Sequence, residues 1–305
     1  MAEMSKVAPK MAVSLRTDGS NEILSRIIVK VNSISDIRML DTSILYANIG
    51  SRLFSRHKNP DSSIGGFVEK TAKVDGTAYV SSKALVLDNA QILGNARICD
   101  NAFVTGNAQV YNNAQIFGNA MISDIARISG NARVYCNARI YGNAQVSDIA
   151  KVYGKAQVFG YGHASDNAHI YGKAQVYGSA AIYHNACVFG DAEVYGYAQV
   201  FDDAWVFNKA HISGNAQIYD TAQVLDNAQV FGEAQVHGNA RVFGKAQVYG
   251  RTQVHGDAKI SQGILDMDYN FTSAEQVEKY LELVEDFNSK LDMLNIIGVK
   301  STLRK

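Results

Sequence analysis

The stretch NARVYCNARIYGNAQVSDIAKVYGKAQVFG, residues 131–160, returns an alanine every sixth position and a valine or isoleucine two residues after each alanine. Extended in both directions, the rule holds from Ala72 to Ala258 with only Gly162 and Thr252 in place of alanine. The branched residue runs from Val74 to Ile260, with Ala164 the single exception, giving 32 hexads without insertion or deletion. Residues two apart share one face of a strand, so each Ala and its following Val or Ile face the same side. The Gln or Arg between them, and the Tyr, Phe or Ser after them, face the other side. A Gly or Asp followed by Asn or Lys then supplies a turn, because Gly, Asn and Asp tolerate positive φ. Short strand and turn in alternation describe a solenoid, the architecture a fixed sequence period signals.

The number of hexads per coil follows from which residues stack. With three hexads, residues 18 apart form columns, and Phe117, Tyr135, Tyr153, Tyr171, Phe189, Phe207, Leu225 and Phe243 make one that is bulky and apolar throughout. A polar column runs through Gln199, Gln217, Gln235 and Gln253, and another, through Tyr111 and Tyr183, is interrupted by Ser129, Ser147 and Ser165. A flat, two-sided coil of 12 residues is the competing arrangement.

The repeated Val/Ile-x-Gly-Asn-Ala-x resembles the hexapeptide repeat of left-handed parallel β-helices, the fold of the hexapeptide acyltransferases. The resemblance covers residues 72–260 and implies an all-β solenoid: a left-handed parallel β-helix of about 10 three-sided coils, about 50 Å tall at the usual strand spacing. The Asn-Ala-rich repeats, led in by Ile64-Gly65-Gly66-Phe67-Val68-Glu69, are most similar to the YdcK-type hexapeptide proteins, which carry a transferase label. The resemblance also implies a histidine general base, coenzyme A or acetyl-CoA as cofactor, and clefts built between the prisms of a homotrimer.

The flanks read as caps, because a solenoid with bare ends offers unpaired strand edges to other chains. Residues 1–20 are expected to be disordered, 21–63 to form an N-terminal cap with a strand at Ile27–Val31, 64–263 to form the helix, and 264–305 to form a C-terminal helical cap. Thr272-Ser273-Ala274-Glu275 reads as a capping box opening an amphipathic helix through Val277, Leu281, Val284, Phe287, Leu291 and Leu294. That helix either docks over the last coil or pairs with another subunit.

Composition excludes several classes of function. Lys plus Arg and Asp plus Glu both number 29, so no basic excess points to nucleic acid. No apolar run is long enough to span a bilayer. The first twenty residues are charged and lack a signal-peptide core, and Cys99, Cys136 and Cys187 show no metal-ligand or disulfide spacing. These features point to a reducing compartment, the cytoplasm by default. No phosphate-binding loop, nucleophile elbow or HExxH occurs.

Three constellations remain as candidate sites. The repeat breaks at Gly162-His163-Ala164. In the 18-residue register, His163 joins Arg127, Gln145, Ser147, Ser165 and Tyr183 around a shallow polar notch, with His163 as the candidate general base. A tolerated irregularity explains the same residues. Asp148, Asp166, His184, Asp202 and Asp220 fall on one corner, where stacked carboxylates suggest a divalent cation, unless aspartate is simply suiting the turn. The column Phe117, Tyr135, Tyr153, Tyr171, Phe189, Phe207 and Phe243 either stabilises the coils by stacking or presents a partner-binding strip. The absence of any projecting loop favours a non-catalytic scaffold that offers flat faces to a protein or polysaccharide, or to a second copy of the chain. The alternative is a CoA-dependent acyltransferase.

Overall fold

The computed structural model describes residues 12–16, 26–266 and 268–296. The chain divides into two compact units, Met1–Ser179 and Ala180–Lys305. Most of the segment expected to be disordered lies outside the described residues, but Ala12–Arg16 within it is a strand (β1).

The first unit opens with a small sheet. β1 pairs antiparallel with β2 (Arg26–Lys30), on the apolar run seen in the sequence. Helix α1 (Ile34–Met39) follows, its amide ends satisfied by a reciprocal Ser33–Asp36 capping box. β3 (Tyr46–Ile49) lies parallel to β2, and β4 (Arg52–Lys58) and β5 (Ile64–Glu69) add antiparallel. β5 then pairs in parallel with Leu85–Val86, handing the sheet over to the solenoid. Val29, Ile37, Phe54 and Phe67 of the cap share one core with Leu85 and Leu87. Arg56 pins this junction: its guanidinium lies 4.0 Å from the Phe67 ring centroid and donates to the carbonyls of Leu40, Gly65 and Ser82. The cap therefore covers the strand edge that the first coil would otherwise expose.

From Lys73 onward each hexad is a two-residue strand followed by a turn, and within each unit the hexad strands pair in parallel 18 residues apart, as in Gln109↔Arg127 and Val110↔Ile128. Three sheets result in each unit, so the coil has three sides and the 12-residue alternative is excluded. There are more turns than the ten expected from the hexads. β5 adds a strand ahead of the first counted hexad, in the same 18-residue register, and the strands Ile264–Leu265 and Asn270–Phe271 stack in parallel at the other end although they stand outside the hexad register.

Two physical devices hold each coil. Inward, the hexad alanines and branched residues are almost all fully buried, each Val or Ile contributing about 1.5–3 kcal/mol. At the corners, the fifth residue of every hexad from Asp88 to Gly256 has positive φ. Where that residue is not glycine it is Asp, Asn, His or, at Cys136, a cysteine; the first three are the types most enriched in the left-handed region. Gly130 shows why glycine is common: a Cβ there would lie 2.7 Å from the Asp148 amide nitrogen of the next coil.

The second unit ends in helix α2 (Ala274–Ile296). Its N-cap is Ser273, whose Oγ accepts the Gln276 amide at 3.4 Å, and Gln276 Oε1 reaches back to the Thr272 amide at 2.8 Å. The reciprocal partner is thus Gln276 and not Glu275, because the cap sits one residue later than the Thr272 start read from sequence. Val277 and Tyr280 are buried, which shows docking of the first turns, whereas Leu283 and Phe287 are exposed.

Candidate binding surfaces on the solenoid

The break at residues 162–164 does not open the ladder. His163–Ala164 is a strand like the others, paired in register with Gln145–Val146. The Gln145 amide donates to Gly162 O at 3.0 Å and the Ser147 amide to Ala164 O at 2.9 Å. Glycine at 162 is a packing choice. A Cβ there would meet Val176 O at 2.8 Å, Phe159 O at 3.0 Å and Val158 Cγ1 at 3.1 Å. Ala164 is fully buried and the His163 ring is half-buried. Among the described residues that ring has no carboxylate or carbonyl partner of the kind that fixes the tautomer of a general base.

Of the residues expected around a notch, His163 pairs directly with Gln145 in the ladder. Arg127 and Gln145 line a groove of about 320 Å³. Its other walls are Gln109, the turn residues Asn107 and Asn143, and two exposed apolar side chains, Ile125 and Tyr161. His163, Ser147 and Ser165 stand outside it; Ser147 Oγ instead donates to Asp148 Oδ2 at 2.7 Å. Tyr183 belongs to the second unit, where its hydroxyl meets Gln199 Oε1 at 3.2 Å. Ile125 and Tyr161 were missed in the sequence, although a signal existed. They put apolar side chains at the turn position that most hexads give to Asn, Lys or Asp.

The aspartate corner has its own way of managing charge. In the first unit Asp148 Oδ2 accepts the amide of Asp166, one coil on, at 3.3 Å. In the second unit Asp202 Oδ2 faces the Asp220 amide at 3.5 Å, Asp202 Oδ1 meets His184 Nδ1 at 2.7 Å, and Asp220 Oδ2 accepts from Gly238 at 2.9 Å. The same bond recurs on the other corners, from Gly118 to Asp100, Gly142 to Asp124 and Gly244 to Asp226. Backbone N–H groups thus donate to several of the corner carboxylates. Among the described residues no group of three or more His, Cys, Asp or Glu side chains is placed to hold a metal ion.

The aromatic column is a stack. In the first unit Phe117, Tyr135, Tyr153 and Tyr171 follow one another at 4.8–4.9 Å between centroids and within 4° of parallel. In the second, Phe189 and Phe207 do the same at 4.8 Å. Ring faces are spent on neighbouring coils, so these rings, Phe243 included, are half-buried and the strip is less exposed than its sequence suggests. A second-unit stack on another face runs from Tyr183 through Phe201 and Tyr219 to His237 and His255. Burial, and next the neighbouring His255, hold the His237 pKa below the ordinary imidazole value, while Asp220 pulls the other way. His169 is likewise lowered, by burial and then by Lys151.

Three stretches, residues 96–112, 126–142 and 234–250, match the family model described as the YdcK β-solenoid repeat. Each match begins at a hexad alanine and spans about one coil, so it reports the repeat unit and carries no information on chemistry. No curated protein matches the chain. Among the described residues no helix is long and apolar enough to cross a membrane.

Proposed function

We propose that the chain is a non-catalytic binding scaffold whose stacked faces engage a protein or polysaccharide partner. The observation that carries this reading is the continuity of the hexads: within each unit the coils follow one another without an extruded loop, and the irregular hexad at Gly162–Ala164 stays in register. An acyl-transfer site needs a cleft that excludes water and a base held by a third group. Among the described residues His163 has no carboxylate partner, and the His184–Asp202 pair sits on an open corner with the His184 side chain 51% exposed. A rigid ladder suits binding for the opposite reason: its side chains are already ordered, so little entropy is lost on association.

The test is release of free thiol from acetyl-CoA by the intact chain, offered a panel of amine and hydroxyl acceptors. The expected result is no release above spontaneous hydrolysis. Release that falls on His163→Ala substitution would overturn the reading in favour of acyl transfer.

A further inference from the structure

The groove bounded by Ile125, Tyr161 and Arg127 combines exposed apolar side chains with outward polar ones. Ile125 and Tyr161 are 46% and 67% exposed on one wall. Gln109, Arg127 and Gln145 project from consecutive coils along the other. Elsewhere many outward amides are used up within the ladder: Asn101 donates to Asn119, Asn119 to Asn137, and Gln157 accepts from Tyr141. Among the described residues, no intramolecular hydrogen bond or ion pair engages the side chains of Asn107, Gln109, Arg127, Asn143 or Gln145. The groove therefore joins an aromatic ring, unused amides and a guanidinium with no carboxylate partner.

Backbone chemistry narrows the class of ligand. A peptide adding to a sheet needs free main-chain donors and acceptors. Here the amides of Gln109, Arg127 and Gln145 already donate to Ala126, Ala144 and Gly162. Only side chains are on offer. A sugar chain matches them: a pyranose presents a flat C–H face to a tyrosine ring, hydroxyls pair with amides that both donate and accept, and a uronate carboxylate fits the guanidinium fork. The Asn107/Gln109 and Asn143/Gln145 pairs are two coils apart, about 10 Å at the usual strand spacing. That is comparable with the advance of two sugar rings in an extended β-linked chain. We infer that this groove is a subsite for an extended, carboxylate-bearing oligosaccharide. The chain runs along the solenoid axis, a sugar ring lies on Tyr161 and a uronate pairs with Arg127. This deepens the scaffold reading and rests on it.

The experiment is calorimetric titration of the full chain at low salt with an oligogalacturonate, and with a neutral cello-oligosaccharide of equal length. Saturable binding of the acidic chain is expected, at least about tenfold tighter than the neutral one, or about 1.4 kcal/mol. Tyr161→Ala and Arg127→Gln should each weaken it about tenfold or more without moving the melting temperature, since both side chains are exposed. No saturable binding, equal binding of the neutral chain, or binding that survives both substitutions would overturn the inference. The thiol-release assay on the same protein separates the two failures. Lost sugar binding without thiol release refutes the groove alone, whereas His163-dependent release refutes the scaffold beneath it.

Discussion

Gly162→Ala restores the repeat consensus, and on sequence grounds it should stabilise the chain. Removing a glycine reduces the entropy of the unfolded state, usually by about 0.4–1 kcal/mol. The structure reverses the sign. The new Cβ would stand 2.8 Å from Val176 O and 3.0 Å from Phe159 O, well inside the roughly 3.5–4.0 Å optimum for non-bonded carbon. Both obstacles are backbone oxygens, and Val176 O belongs to a neighbouring coil, so the strain cannot be relieved by a rotamer change. Overpacking of this kind costs about 1–3 kcal/mol, leaving a net loss of about 1–2 kcal/mol. At roughly 2–4 °C per kcal/mol for a unit of this size, the melting temperature should fall by several degrees. The assay is thermal melting followed by circular dichroism, with Ala156→Gly as a companion. That substitution should also destabilise, by about 0.5–1 kcal/mol, because it removes a buried methyl from an ordinary hexad. An unchanged or raised melting temperature for Gly162→Ala would refute the close approach of coils at this point.

Other expectations follow from the same geometry. Asp124 holds φ at +59° and accepts the Gly142 amide at 2.8 Å, so Asp124→Ala should cost about 1–2 kcal/mol and Asp124→Asn much less, as chemical denaturation can measure. Tyr153→Ser breaks two stacks, with Tyr135 and Tyr171, and should cost about 1–3 kcal/mol beyond the lost burial; a melting temperature equal to wild type would show that the stack carries no energy. Calcium or a chelator should leave the melting temperature unchanged, since the corner carboxylates are served by backbone amides; a calcium-dependent rise would restore the cation reading. Acid should weaken the fold before the carboxylates titrate. His169 and His237 have folded pKa values below the ordinary 6.5, so the unfolded chain takes up their protons first. Their contribution is whole above about 6.5 and is lost as pH falls from there through the lower folded values. Melting across that window should show the loss, and His237→Gln should reduce it.

How much of this was legible in the sequence depends on what each feature needs. The hexad period needs only side-chain alternation, and the three-sided register needs only that Phe117, Tyr135, Tyr153 and Tyr171 be read 18 apart; both could be read directly. The caps were legible as far as the Ile27–Val31 strand and the Ser273 cap, but the choice of Gln276 over Glu275 turned on a one-residue shift of the helix start. At the corner aspartates the sequence shows stacked charges but hides the backbone amides that donate to Asp148 and Asp220 from the next coil. His163 attracted attention because it breaks a rule, yet its strand keeps the ladder. The groove was half legible: Arg127 and Gln145 stand out in the sequence, while the exposure of Ile125 and Tyr161 becomes visible only once the turns are placed side by side.

A continuous face requires the ladder to run unbroken through the irregular hexad, and peptide-resolved hydrogen exchange across residues 140–180 measures that directly. The amides of Gln145 and Ser147, bonded to Gly162 and Ala164, should exchange as slowly as those of Gln109 and Arg127 in regular coils. Fast exchange confined to Gln145, Ser147 and Gly162 would mean that the coil opens at His163. A notch would then exist where a continuous face is described, and the non-catalytic reading would fail with it.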